Sequence, residues 1–159
     1  MSCQEQTPRR LICDAMLGGL ARWLRAMGHD AAYEYGIDDA DLVARAAAED
    51  RMILTSDGPL LERNVITSGQ VSALFVPRQL SRFQQLQFVI EALDLPRLGS
   101  RCMACGGELL EEPKHAVAGE VPPLAYRNCS RFWRCGRCGK LYWHGTHWQR
   151  IERKLDEMV

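Results

Sequence analysis

Residues 11–25 read Leu-Ile-Cys-Asp-Ala-Met-Leu-Gly-Gly-Leu-Ala-Arg-Trp-Leu-Arg, and this stretch decides the fold. Its first three residues are apolar, which is typical of a short buried strand, and the acidic residue Asp14 follows them directly. From Leu17 onward the apolar residues recur at helical spacing as far as Met27, and Gly28 ends the pattern. The stretch therefore predicts a strand, an acid at its carboxyl end and a helix.

The alternation of strand and helix continues as far as residue 99. Residues 52–55, Met-Ile-Leu-Thr, are the clearest buried strand, and Asp57 follows them. Such an alternation predicts an α/β fold with a mainly parallel sheet covered by helices on both faces. We expect strands over residues 11–13, 31–35, 52–55 and 73–76, and helices from residues 17 and 39, near 60–65 and from near 79.

Two Cys-x-x-Cys pairs, Cys102/Cys105 and Cys135/Cys138, lie in glycine-containing turns in the second half of the chain. Four thiolates in two closely spaced pairs match the tetrahedral coordination of Zn²⁺, and a site filled by four sulfurs has no open position for chemistry. The pairs therefore predict a structural zinc, with a redox dithiol or a disulfide pair as the alternatives. Three cysteines remain, which we expect to be reduced thiols: Cys3, Cys13 and Cys129.

The length of 159 residues allows one domain with a small appendage, because a metal can stabilise a segment too short for its own core. We expect a first domain at residues 9–97, a zinc ribbon at 98–150 and a helical tail at 151–159. No apolar run is long enough to predict a membrane span. The polar start of the chain has no apolar signal core, so we expect a cytoplasmic protein. Neither a homodimer nor a protein partner can be predicted from this sequence.

The net charge of zero conceals an asymmetry. Residues 1–98 carry 10 basic and 13 acidic side chains, whereas residues 99–159 carry 10 and 7. Basic residues alternate with aromatic ones near the last cysteines, a pattern that suits single-stranded RNA through phosphate contacts and base stacking. The alternative is that the aromatic residues form the small core around the zinc. The candidate RNA-binding residues here are Arg134, Arg137 and Lys140.

Three acids are expected at one edge of the sheet. Asp14 and Asp57 follow two strands, and Asp39 opens the helix after another. In parallel sheets the carboxyl ends of the strands form the ligand-binding edge. Carboxylates gathered there repel one another unless a hard cation such as Mg²⁺ or Mn²⁺ is bound. The alternatives are a helix cap for Asp39 and a turn-forming role for Asp57.

The first helix carries Arg22 and Arg25, which we expect on the face opposite its apolar residues. That face is either simply solvated or borders the Asp14 edge and holds the phosphate backbone of RNA. Gly18 and Gly19, near the start of the helix, would let backbone N–H groups approach a phosphate.

Residues 14–25, 39–42 with Ala46, and 53–57 together resemble the PIN-like ribonuclease domain at the C-terminus of the Mut-seven exonuclease (Mut7-C). Residues 142–148 are similar to the closing segment of the four-cysteine zinc ribbon that follows in that family, and the resemblance covers roughly residues 9–150. It implies a PIN-type fold and metal-dependent cleavage of RNA. The residues that take the metal-binding positions by this resemblance are Asp14, Asp39 and Asp57.

Other functions fit less well. A phospho-acceptor receiver domain needs a lysine near a later strand end, but the first lysine of this chain is Lys114. A dehalogenase-like phosphatase needs Asp-x-Asp, and the second residue after Asp14 is Met16. The remaining alternative is a non-catalytic RNA-binding or adaptor protein built on a degenerate nuclease fold.

Overall fold

A computed structural model describes residues 8–158; the predicted reduced thiol Cys3 and the polar start of the chain up to residue 7 lie outside the described residues. Four strands form a parallel sheet in the order β2-β1-β3-β4. The α/β prediction with a parallel sheet is confirmed. In this first part of the chain the elements are β1 Leu11–Cys13, α1 Gly18–Ala26, β2 Ala31–Ala32, α2 Asp39–Glu49, β3 Met52–Thr55, α3 Gly58–Leu61, α4 Asn64–Thr67, β4 Ala73–Phe75 and α5 Arg82–Leu93.

The sheet is buried on both faces because its strand residues are apolar in succession. Leu11 and Leu54 point to a core cluster shared with α1 and α5, whereas Ile12 and Ile53 point to a second cluster beneath α2. Helices therefore cover both faces, as predicted. The two clusters hold every strand in register, so the carboxyl ends of the strands stay at one edge.

Element boundaries differ from the prediction at three places. Pairing of β2 covers Ala31–Ala32 and not the predicted residues 31–35. The helix expected near 60–65 is two short helices, α3 and α4. Helix α5 begins at Arg82 because Ser81 caps it: the Ser81 hydroxyl accepts from the Gln84 N–H, and the Gln84 side chain accepts from the Ser81 N–H.

The second half of the chain forms a three-stranded antiparallel sheet in the order β5-β6-β7. The four predicted ligand cysteines lie before β5, at the end of β6 and in the turn that follows it, which is a zinc-ribbon-like arrangement; we call this part the ribbon. Phe132 packs in its small core with Val117, Val121 and Cys129. The remaining elements are β5 Leu109–Glu112, a 3-10 helix Lys114–Val117, α6 Pro123–Asn128, β6 Phe132–Cys135, β7 Leu141–Trp143 and α7 Thr146–Asp156.

The C-terminal helix connects the ribbon to the parallel sheet. Ile151 and Leu155 of α7, together with Met103 before β5, belong to the core cluster that contains α1. Helix α7 runs across residue 150, where we placed a boundary in the sequence. The boundaries at residues 97 and 150 stay predictions.

Candidate functional site

Asp14 follows β1 directly and is held in one orientation. The residue is 6% exposed. One oxygen accepts from the Met16 N–H at 2.9 Å, and the other accepts from the Thr55 hydroxyl at 2.6 Å and the Ser56 N–H at 3.0 Å. These donors offset the cost of burying a carboxylate. The backbone N–H of Asp14 donates to the Leu54 oxygen at 3.0 Å, which places it at the carboxyl edge of the sheet.

Asp57 lies at the same edge and is linked to Asp14 through one hydroxyl. The Thr55 oxygen that donates to Asp14 accepts from the Asp57 N–H at 2.9 Å. Asp57 precedes α3, but its side chain makes no capping hydrogen bond. Asp57 is half-buried, and its backbone N–H, not its carboxylate, makes the bond to Thr55. The turn-forming role that was the alternative to metal binding stays open.

Asp39 is the first residue of α2 and does not cap it, because the Asp38 carboxylate accepts from the Asp41 N–H at 2.8 Å. The Asp39 side chain is 46% exposed and lies 3.9 Å from the Arg63 guanidinium. Within residues 8–158, the four cysteines are the sole group of three or more His, Cys, Asp or Glu side chains with ligand atoms within 4.8 Å of one another. The three aspartates thus form no such closed group, and the triad stays a prediction.

The neighbouring thiol, Cys13, has no part in this site. It is fully buried, and its burial, together with the negative charge of Asp14, raises the pKa of the Cys13 thiol to about 12. The thiol stays protonated and is a poor nucleophile at neutral pH.

Gly18 and Gly19 leave room for the side chains of other residues to pack against α1. The expected reason for these glycines was different, namely the approach of a phosphate to the backbone. A Cβ on Gly18 would lie 2.7 Å from the ring of Tyr33, and a Cβ on Gly19 would lie 2.9 Å from the Arg82 side chain. The Tyr33 hydroxyl donates to the Ala15 oxygen at 3.0 Å, which ties the segment after β2 to the turn after β1. The glycines therefore help to join separate segments at the carboxyl edge.

Two basic residues at this edge were missed in the sequence. Arg78 and Arg82 follow β4, whose carboxyl end lies on the same side of the sheet as Asp14. Both are exposed, and the Arg78 guanidinium lies 3.9 Å from the Met16 sulfur. The rule that located the acids, the carboxyl ends of parallel strands, would have located these arginines as well.

The two arginines of α1 have different environments. Arg22 is exposed, as expected, but Arg25 is buried at 4% exposure, which corrects the expectation of an exposed face. The Arg25 guanidinium donates to the oxygens of Ala31 at 2.8 Å and of Met103 and Ala104 at 3.1 Å. Arg25 thus joins the sheet to the first cysteine pair, and its burial could not be inferred from helical spacing because the ribbon supplies the cover.

We expect Arg25→Met to lower the free energy of unfolding by about 2–4 kcal/mol, because it leaves buried carbonyl oxygens without their donor. Arg22→Met on the exposed face of the same helix is the matched control, with an expected change below about 0.5 kcal/mol. Urea denaturation followed by circular dichroism measures both. Equal losses in the two variants would contradict the role assigned to Arg25.

The four ribbon cysteines form a site that suits a metal ion. Their sulfur atoms lie within 4.8 Å of one another, with 3.7 Å between Cys102 and Cys138 and 3.4 Å between Cys105 and Cys135. Zinc–sulfur bonds of about 2.3 Å in a tetrahedron place sulfurs about 3.8 Å apart. All six cysteines within residues 8–158 are free thiols. The site is consistent with structural zinc.

Backbone donors surround these sulfurs. The N–H groups of Gly107, Arg137 and Cys138 lie 3.3–3.4 Å from cysteine sulfurs. Burial opposes ionisation of Cys135, but the N–H groups of Cys138 and Arg137, together with the neighbouring thiols, lower its pKa to about 6. A Cβ on Gly107 would lie 2.7 Å from the Cys135 sulfur, so only glycine fits there. Burial and the neighbouring thiols raise the pKa of Cys105 to about 12, so a bound cation would be needed to hold all four sulfurs as thiolates.

The basic surface predicted for the ribbon is partly neutralised. Arg134 pairs with Glu112 at 2.9 Å and with Glu120 at 2.5 Å. Arg137 is exposed and donates to the Cys105 oxygen at 3.1 Å, and Lys140 is exposed with its ammonium 5.6 Å from the centre of the Tyr142 ring. Of the three residues that we predicted to bind RNA here, Arg137 and Lys140 have the less compensated charges.

The aromatic residues of the ribbon divide between the two interpretations. Phe132 is fully buried in the ribbon core, as the packing alternative requires. Tyr142, Trp143 and Trp148 are half-buried and line a cavity of about 600 Å³. Trp143 also packs against the ribbon core and so fits both interpretations. The sequence could not separate these roles because spacing along the chain does not show which rings the core covers.

Within residues 8–158, no helix has the length and apolar character needed to cross a membrane.

Neither a curated protein nor a solved structure matches the chain. The sequence model of the Mut7-C RNAse domain matches residues 9–155, which is nearly the whole chain and includes the acidic edge and the ribbon. The chain belongs to the Mut7-C RNase domain family.

Proposed function

We propose that this member of an RNase family is a PIN-type ribonuclease that hydrolyses RNA phosphodiester bonds with the help of Mg²⁺ or Mn²⁺ held by Asp14, Asp39 and Asp57. The observation that supports it best is the hydrogen-bonded link Asp14–Thr55–Asp57 at the carboxyl edge of a parallel sheet. Such an edge is the usual ligand site of open α/β sheets. Oxygen ligands of this kind suit hard divalent ions.

The donors around Asp14 orient its carboxylate before any ligand arrives. The Met16 and Ser56 N–H groups and the Thr55 hydroxyl donate to both of its oxygens and leave it little freedom to rotate. The bound ion would supply Lewis-acid stabilisation and a water of lowered pKa. Asp57 and Asp39 would complete the set of oxygen ligands, and the Arg63 side chain beside Asp39 would turn away or contact a phosphate.

The ribbon would contribute structure and RNA contacts. We propose Zn²⁺ as the ion of the four cysteines, and Arg22, Arg137 and Lys140 as contacts to the RNA backbone. Arg134 would contribute less because two glutamates already neutralise it. A reducing compartment, for which we propose the cytoplasm, would keep the described thiols unpaired.

A non-catalytic RNA-binding or adaptor protein is the second candidate. It is favoured by the Arg63 guanidinium 3.9 Å from Asp39 and by the lack of a closed carboxylate group within residues 8–158. In that case the acidic edge would hold no divalent ion, and the ribbon alone would bind RNA.

Titration with Mn²⁺ and Mg²⁺ tests the proposal. A ligand at 100 times its dissociation constant stabilises the native state by about 2.7 kcal/mol, so we expect a rise in melting temperature of several degrees and concurrent cleavage of a labelled single-stranded RNA. The zinc-loaded protein should be used so that the ribbon site is already filled. If millimolar Mn²⁺ causes no shift in melting temperature and no cleavage, the adaptor is favoured.

A further inference from the structure

A cavity of about 600 Å³ lies between β7, α6, the start of α7 and α1, and its lining includes neither the three aspartates nor the four ligand cysteines. We infer that this cavity binds a nucleobase of single-stranded RNA that flanks the cleaved linkage. The inference rests on the proposed function for the identity of the RNA as substrate. Ligand sites commonly have volumes of about 300–1,000 Å³, so one base with part of its ribose fits.

Aromatic side chains form the wall of this cavity and are held in place. The Trp148 Nε1–H donates to a Glu152 oxygen at 3.1 Å, and the Tyr142 and Trp148 rings meet edge-on with centroids 6.3 Å apart. The Tyr142 hydroxyl lies 3.0 Å from the Cys102 sulfur, so the wall is attached to the metal site. Stacking of a base on such rings changes affinity by about 5- to 140-fold per base.

The charge of the cavity suits an anionic ligand. Within residues 8–158, Arg22 and Lys140 line it, no Asp or Glu does, and neither cation makes an ion pair. The amides of Asn128 and Gln149 also line it, and amides can both donate to and accept from base edges. An apolar peptide would need neither the two cations nor the amides.

The cavity is connected to the acidic edge by a basic helix face. Helix α1 begins at Gly18, shortly after Asp14, and Arg22 lies about 6 Å further along its axis. Arg82 packs over Gly19 between them. The exposed arginines would hold the phosphates of the intervening nucleotides, so a base in the cavity would belong to a strand whose cleaved bond lies at the acidic edge.

The test uses a five-nucleotide 2′-O-methyl phosphorothioate RNA with a 5′ fluorophore, which resists cleavage, so binding is measured independently of any nuclease activity. Five further oligomers each lack one base. Fluorescence anisotropy with wild-type protein should give a roughly tenfold loss of affinity when the base at one particular position is missing, and smaller losses elsewhere. Equal losses at all positions, or no loss, would overturn the pocket.

Leu124→Asp places an acid in the wall of the cavity. Leu124 is 69% exposed on α6, so the variant should fold; Leu110→Asp, at a 53% exposed position of β5 that does not line the cavity, is the matched control. We expect Leu124→Asp to weaken binding of the complete oligomer about tenfold. In this variant, removing the base at the sensitive position should cause no further loss of affinity. Leu110→Asp should bind both oligomers as the wild type does. An undiminished penalty in Leu124→Asp would refute the inference and leave an apolar peptide as the occupant to test.

Arg22→Ala provides a second reading if Leu124→Asp fails to fold. The slope of the logarithm of affinity against the logarithm of salt concentration should fall by about 0.7, the value for one phosphate contact on a single strand. Arg9→Ala, at the opposite edge of the sheet, should leave the slope unchanged, and equal slopes in all three proteins would overturn the inference. The two proposals can fail separately. If the missing base weakens binding at one position but ordinary RNA is not cleaved, the nuclease proposal is rejected and the base-binding cavity is kept. If RNA is cleaved but the position of the missing base has no effect, the base-binding cavity is rejected and the nuclease proposal is kept.

Discussion

Asp57→Asn is expected to lower RNA cleavage by about 10²–10³-fold, because the neutral amide removes one ligand charge from the proposed metal site. Asp14→Asn should have an equal or larger effect on cleavage. It should also destabilise the fold, because an amide NH₂ would face one of the three donors that now surround the Asp14 carboxylate. The Asp57 side chain makes no capping bond, so its variant should keep the stability of the wild type within about 1 kcal/mol.

Asp41→Asn is the matched control for these variants. Asp41 is an exposed acid in the first turn of α2, two residues after Asp39, and it is outside the proposed triad. Single-turnover cleavage of a labelled RNA in Mn²⁺ measures each variant, beside thermal melting. Cleavage by Asp57→Asn at the wild-type rate, in protein purified free of other nucleases, would reject the assignment of the triad.

Loss of the ribbon metal is expected to unfold the ribbon. Structural zinc contributes about 10–16 kcal/mol of apparent binding free energy in small peptides, and the ribbon core contains only a few buried side chains to replace it. Chelation or Cys135→Ser should therefore abolish hydrogen-exchange protection in β5–β7, while β1 and β3 keep theirs. Elemental analysis should give one zinc per chain before chelation and none after.

Cys129→Ser is the matched control for the zinc prediction. Cys129 is buried in the ribbon core, but its sulfur is not among the four that lie within 4.8 Å of one another. This variant should keep one zinc per chain even if it is somewhat less stable. A zinc content halved or lost in Cys129→Ser, or protection of β5–β7 that survives chelation, would contradict the four-cysteine site.

The ribbon and the sheet depend on each other through a few contacts. Arg25 joins α1 to the first cysteine pair, and Ile151 and Leu155 of α7 complete the core beside α1. Metal loss should therefore reach the cavity wall through Tyr142, whose hydroxyl contacts the Cys102 sulfur. The metal site has no open coordination position for chemistry, but its loss would thus weaken RNA binding at the cavity.

The sequence by itself determined the features that depend on local pattern. Apolar runs followed by acids marked β1 and β3, because a strand buried on both faces must be apolar throughout and must end where polar groups begin. The Cys-x-x-Cys spacing marked the metal ligands, because each pair can reach one ion only through a tight turn. These local constraints also carried the family resemblance, which the match over residues 9–155 confirms.

Only the tertiary structure decided the features that depend on what covers a residue. Arg22 and Arg25 share one amphipathic helix, yet the ribbon buries Arg25 and leaves Arg22 at a cavity. The role of Phe132, buried in the ribbon core, differs from those of Tyr142 and Trp148, which line the cavity, only once the ribbon has folded. Burial and the meeting of distant segments are properties of packing, and helical or strand spacing along the chain does not encode them.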